Sequence, residues 1–163
     1  MILYYSKPSE NNVTLQVSTV ASPTIASSPT SVSSIYSFDE VGLSFSAPAD
    51  MSVSGEKIDE TTFILTVERN RYPEEDYYQL YGNYRLSNED IDQELLKEGL
   101  EEDSIKEISV GGFPAISGQN TGERNRYITQ VITDRGLFTF ATSQPTEENA
   151  AITAQILSTM SLQ

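Results

Sequence analysis

The chain has no histidine, no cysteine and no tryptophan among its 163 residues. Without cysteine there is no disulfide, no thiolate nucleophile and no cysteine-ligated metal. Without histidine the commonest general base and the commonest transition-metal ligand are lost together. Serine-triad, cysteine-protease and ordinary zinc-hydrolase mechanisms each lose an essential part. Basic residues are scarce as well: 10 Lys and Arg face 24 Asp and Glu, for a net charge of −14. Nucleic acid is therefore excluded as the expected ligand, since phosphate binding is dominated by Lys and Arg, and an anionic membrane surface would repel the chain. Cations and basic protein surfaces are the electrostatic partners that the composition leaves, and solubility alone also accounts for the charge. Long apolar runs are missing too. The start, Met1-Ile2-Leu3-Tyr4-Tyr5, is far shorter than the roughly 20 residues a spanning helix needs, and it lacks the layout of a signal peptide. It reads either as the outer end of a longer transmembrane helix with two interfacial tyrosines or as an ordinary soluble start.

What is present falls into two parts. From Ser6 to Ser34 serine and threonine dominate, with Pro8, Pro23 and Pro29 and almost no charge. Such a stretch buries too little apolar surface to offset its ordering entropy, and it has the composition of an extracellular spacer. Residues 1–35 are expected to form a flexible stalk and 36–163 a single domain. Within the stalk, Val13–Val17 alternates like an edge strand, and Asn12-Val13-Thr14 fits a glycosylation sequon.

The folded part opens with Tyr36–Phe38 and Leu43–Ser46, alternating segments joined by a turn at Asp39–Gly42, which predicts a hairpin. Thr62–Glu68 predicts a strand with Phe63, Leu65 and Val67 on one face. Ser87-Asn88-Glu89-Asp90 resembles a capping box, and Ile91, Leu95, Leu96 and Leu100 form an apolar stripe, so a helix is predicted from Ser87, with Gly99 inside it or ending it. Ile105–Val110 and Phe113–Ser117 read as extended. Arg126–Thr133 and Leu137–Thr142 flank a turn at Asp134-Arg135-Gly136 and predict a second hairpin. Thr146 caps a last helix whose inner face carries Ile152, Ile156, Leu157 and Met160, and Met160 and Leu162 alternate as a strand would. The expected class is α+β, an antiparallel sheet with helices packed on it.

These elements resemble the PsbP-like superfamily, which includes small bacterial exported proteins and lipoproteins. The resemblance rests on Tyr36-Ser37-Phe38 through Gly42-Leu43-Ser44-Phe45-Ser46-Ala47-Pro48, on Gly111-Gly112-Phe113-Pro114-Ala115, on the Tyr127–Phe140 hairpin and on Ile156–Met160, and it spans roughly residues 36–162. It implies a sheet sandwiched by helices and non-enzymatic roles such as assembly factors, photosystem subunits and partners of small GTPases. It carries no site residue onto this chain, and the acidity departs from several members.

Two features invite a function. Eleven of the 24 acidic residues lie between Glu74 and Asp103, opposed only by Arg85 and Lys97. Clustered carboxylates can hold a hard cation, but no D-x-D-x-D-G loop is present, so a solvated helix face is the plainer reading and no metal or cofactor is expected. The segment from Arg71 to Tyr84 places five tyrosines, Tyr72, Tyr77, Tyr78, Tyr81 and Tyr84, within thirteen residues. With Glu74, Glu75 and Asp76 it reads as a long loop that contacts a basic partner, tyrosine offering rigid area with a polar tip. The alternative is a covering loop with Tyr77 and Tyr81 packed inward. The expected function is a monomeric, non-enzymatic, extracytoplasmic binding or assembly module, tethered to a membrane only through an anchor upstream, with a protein or other envelope macromolecule as partner. A carboxylate-based hydrolase of envelope glycan and a structural cell-surface domain are the alternatives.

Overall fold

A computed structural model describes residues 33–70, 76–87, 90–122 and 125–163. Residues 1–32 of the expected stalk, with its Val13–Val17 strand and its sequon, lie outside the described residues, as do Tyr72, Glu74 and Glu75 of the tyrosine segment. The elements run β1 (Ser33–Phe38), β2 (Leu43–Pro48), β3 (Ser52–Lys57), β4 (Thr62–Arg69), β5 (Tyr78–Leu86), α1 (Gln93–Lys97), β6 (Lys106–Val110), β7 (Phe113–Gln119), β8 (Arg126–Thr133), β9 (Gly136–Ser143), α2 (Glu147–Ser158) and β10 (Ser161–Leu162). Antiparallel sheets dominate and the two helices are short.

Seven strands form one sheet in the order β3-β4-β5-β9-β8-β7-β6, and three form a second in the order β1-β2-β10. Every pairing is antiparallel. Strand alternation explains the layering. Phe63, Leu65 and Val67 of β4, Tyr78, Leu80 and Tyr84 of β5, and Phe138 and Phe140 of β9 all point to one face of the large sheet. The small sheet and α2 cover that face, with Leu43, Phe45 and Ala47 of β2 and Ile156 and Leu157 of α2 in the same core. Ring contacts join the layers, Phe38 lying 5.4 Å from Phe63 edge to face and 6.3 Å from Phe45.

The opening hairpin, the β4 strand, the β8–β9 hairpin, the Thr146 cap and the terminal strand lie where the sequence predicts them. Thr146 accepts the Asn149 N–H at 3.1 Å, and β10 pairs with β2. β1 begins at Ser33, ahead of the expected boundary at Tyr36, because its pairing with β2 runs back to Ser33 opposite Pro48.

Two expectations need correction. The helix predicted from Ser87 is only five residues long and starts at Gln93, capped by the Asp92 carboxylate, which accepts the Glu94 N–H at 2.9 Å. Sheet pairing takes both ends: Leu86 still pairs with Gly136 and the Ser87 N–H donates to the Arg135 carbonyl, while Leu100 bridges to Asn120. Leu96 and Leu100 are buried against Ile116 as a packed helix face requires, whereas Leu95 is 61% exposed. The described part of the tyrosine segment is no loop from Tyr78 onward. It is β5, paired on one side with β4 and on the other with β9, well inside the sheet. Gly82 is the inward residue between Leu80 and Tyr84, and a Cβ there would meet the Leu65 Cβ at 3.1 Å and the Phe140 ring at 3.2 Å. This glycine marks a close approach between strands.

At the β3–β4 turn the Asp59 carboxylate accepts the Thr61 N–H at 2.7 Å and the Thr61 hydroxyl at 2.9 Å. These bonds hold its pKa below the ordinary carboxylate value, the backbone bond contributing most. A group depressed by folding adds stability above its unfolded pKa and loses it as pH falls through the folded one. Asp59→Ala is therefore expected to melt slightly below the wild type at neutral pH. The gap should close in strongly acidic solution, as a pH series of thermal melts would show.

Candidate binding site

The opposite, outer face of the large sheet is covered only in part. The chain around α1 lies over β7 and β8, where Leu96 and Leu100 pack on Ile116 with Ile105, Ile128 and Ile132 beside them. Toward β4, β5 and β9 the outward residues stay half-exposed, among them Ile64, Thr66, Tyr81, Asn83 and Thr139. Register aligns them in rows: Tyr81 beside Thr66 and Ala141, Asn83 beside Ile64 and Thr139, Arg85 beside Thr62 and Leu137.

A groove of about 380 Å³ runs along this face, lined by Tyr81, Asn83, Arg85, Arg126, Leu137, Thr139 and Ala141. Among the described residues its lining holds two guanidinium groups and no carboxylate. In a chain of net charge −14 that is a local reversal. Among the described residues neither arginine makes an ion pair, whereas Arg69 reaches Asp50 at 3.6 Å and Glu148 at 3.4 Å, and Lys97 holds Glu94 at 2.8 Å and Glu107 at 3.1 Å. Arg85 is exposed and Arg126 half-buried, so both forks are available to an incoming acceptor. Tyr81 supplies a ring on the floor, and Asn83 and Thr139 supply donors and acceptors.

The tyrosines predicted to meet a partner are divided by the strand. Tyr78 is 0% exposed and its hydroxyl shares a hydrogen bond of 2.9 Å with Thr153, which in turn bonds Thr142 at 2.8 Å. Burial, opposed in part by that bond and by Arg69, pushes the Tyr78 phenol up to about 12. Tyr84 is 5% exposed and stacks on Phe138 with centroids 4.1 Å apart. Neither offers surface to a partner, because even-numbered residues of β5 face the core. The alternative of Tyr77 and Tyr81 packed inward is corrected by the same alternation: Tyr81 faces out and lines the groove, and Tyr77 is half-buried just before β5. Asp76 is exposed and its carbonyl accepts the Arg69 Nε–H at 3.1 Å. Sequence reasoning missed Arg85 and Arg126 as a pair. The outward set Gln79, Tyr81, Asn83 and Arg85 is the signal that would have found the first.

Of the acidic run, Glu94 pairs with Lys97, as does Glu107 of β6, and Asp92 caps α1. Those contacts raise the Lys97 pKa, the Glu94 hydrogen bond most. Among the described residues no three carboxylates gather as a metal site would require, and no helix is long and apolar enough to cross a membrane. No family model, curated protein or solved structure matches the chain.

Proposed function

We propose that this chain is a non-enzymatic binding or assembly module acting outside the cytoplasm, and that its outer-face groove clasps a carboxylate-bearing segment of a protein or other envelope macromolecule. The observation that carries the reading is the pair Arg85 and Arg126: among the described residues the two cations make no ion pair and no acidic residue lines their concavity. Guanidinium forks prefer planar acceptors such as carboxylates. The bulk charge favours a partner that is basic at long range, and the groove selects an acidic group at contact. A basic partner presenting a short acidic segment satisfies both. The Ser/Thr-rich stretch before Ser33 is read as a stalk leading to a membrane anchor. The fold is read as a PsbP-like α+β sandwich, supported by α2 on the inner face of the sheet and α1 on the outer.

The test uses a fluorescein-labelled tetraglutamate peptide at physiological salt. Replacing both arginines by glutamine is expected to loosen its Kd at least tenfold, since hydrogen bonds to charged groups contribute about 1.5–3 kcal/mol each. The thermal melt should barely move, because the two side chains form no ion pair with described residues. Unchanged affinity, or tighter binding of a tetralysine peptide to the wild type at the same groove, would sink the proposal.

A further inference from the structure

A second concavity lies on the inner face of the large sheet, separated from the arginine groove by the sheet itself. It is a crevice of about 350 Å³ between α2 and strands β6 to β8. That size reaches the lower end of the range for small-molecule sites, about 300–1,000 Å³. Ile108, Val110 and Leu157 wall it, and the small side chains of Ala150 and Ala154 keep the helix side open. Ile108 is 39% exposed here, one of the few large apolar side chains left in solvent.

Three hydroxyls in its lining, those of Ser117, Thr129 and Thr153, are already engaged. Ser117 and Thr129 share a hydrogen bond of 2.9 Å, and Ser117 also donates to the Ile128 carbonyl at 3.2 Å. Thr153 is held between Tyr78 and Thr142. These three satisfied hydroxyls present methyl and methylene groups to the crevice, while the Ser109 and Tyr127 hydroxyls, also in the lining, have no hydrogen bond among the described residues, so its occupant should be mainly apolar with a polar end. The one charged residue in the lining is Lys106, on the same face through its pairing with Ser117 and without an ion pair among the described residues. Among the described residues no acidic residue joins it.

We propose that this crevice binds a single acyl chain with a carboxylate head, the chain lying between α2 and β6–β8 and the head meeting the Lys106 ammonium. An apolar trough with one cation in its lining is complementary to an anionic amphiphile and to neither a cationic nor a polar one. The inference does not depend on the arginine groove.

Hexanoate, octanoate and decanoate, kept below their micelle concentrations, would be titrated into the full chain while the methyl resonances of Ile108 and Leu157 are followed by NMR. Affinity should rise about fourfold per added methylene until the crevice is filled, the factor that about 0.8 kcal/mol per buried methylene implies. Lys106→Gln should weaken decanoate binding about tenfold and leave decanol unchanged. Ala154→Leu, at an exposed helix position that the fold does not rely on, should abolish binding of both. Equal saturation by decyltrimethylammonium would mean surfactant adsorption and overturn the proposal. So would decanoate binding that survives Ala154→Leu. A capped leucine peptide that shifts the same methyls when decanoate does not would assign the crevice to protein side chains and overturn it as well.

Discussion

Tyr78→Ala is expected to destabilise the domain by about 3–5 kcal/mol, the range for emptied aromatic core sites. Tyr78 is wholly buried, packs in the main core beneath α2, and ends the hydroxyl chain through Thr153 to Thr142. Truncation would leave a ring-sized void and remove one partner of that chain. Tyr78→Phe separates the two effects: it keeps the ring, leaves Thr153 bonded to Thr142, and should cost only about 1 kcal/mol. Tyr81→Ser, three residues along the same strand but on the outer face, should cost far less than Tyr78→Ala and should weaken tetraglutamate binding instead. Urea unfolding of the three variants, with the peptide titration alongside, checks the division. A Tyr78→Ala protein as stable as the wild type, or a Tyr81→Ser protein that unfolds first, would mean that β5 faces the other way.

Gly136→Ala should be nearly as damaging, by a different route. Gly136 sits at φ 156° at the start of β9, paired with Leu86 of β5 and Thr133 of β8. A Cβ there would collide with the Arg85 carbonyl oxygen and lie 2.9 Å from its carbon and 3.0 Å from the Leu86 Cα. Those are backbone atoms with no rotamer to yield, so the end of the β5–β9 ladder would have to part. The cost should be about 2–3 kcal/mol, as for other overpacked sites. Because Arg85 is part of the displaced segment, the variant should also bind tetraglutamate more weakly, an effect absent from a core lesion of equal cost such as Leu43→Ala. A melt and a titration on both variants test this. Unimpaired stability in Gly136→Ala would show that the ladder end is free to shift.

The contrast between β4 and β5 shows what the sequence makes legible. In β4 the inward residues are Phe63, Leu65 and Val67 and the outward ones are mostly polar, so a period of two is plain. In β5 the inward set is Tyr78, Leu80, Gly82 and Tyr84, and the outward set includes Tyr81. Tyrosine on both faces blurs the alternation, and Gly82 imitates a turn because the reason for it, contact with Leu65 and Phe140, lies on other strands. The helix at Ser87 failed in the same way. Its cap and its stripe are locally sound, yet pairing to Arg135, Gly136 and Asn120 confines it to one turn. β3, with Ser, Gly and Lys, carries almost no strand signal and is held by register with β4. The candidate groove was half visible. Tyr81 stands out by composition, whereas Arg85 and Arg126 fall on one face only after β5 and β8 are placed on either side of β9, where they sit toward opposite ends, across from Leu137 and Ser143.

The large sheet is made of two runs of neighbouring strands, β3-β4-β5 and β6-β7-β8-β9, that meet only where β5 pairs with β9. Each run can zip locally as the chain is synthesised, hairpin by hairpin. The seam cannot: it must wait for β9 and close the loop that contains α1, β6, β7 and β8, a non-local contact of the kind that slows folding. The second sheet is completed later still, since β10 joins the β1–β2 hairpin by pairing Leu162 with Leu43. Until then the early strands leave Phe63, Leu65 and Tyr84 uncovered, and a chaperone would meet two half-sheets rather than a domain.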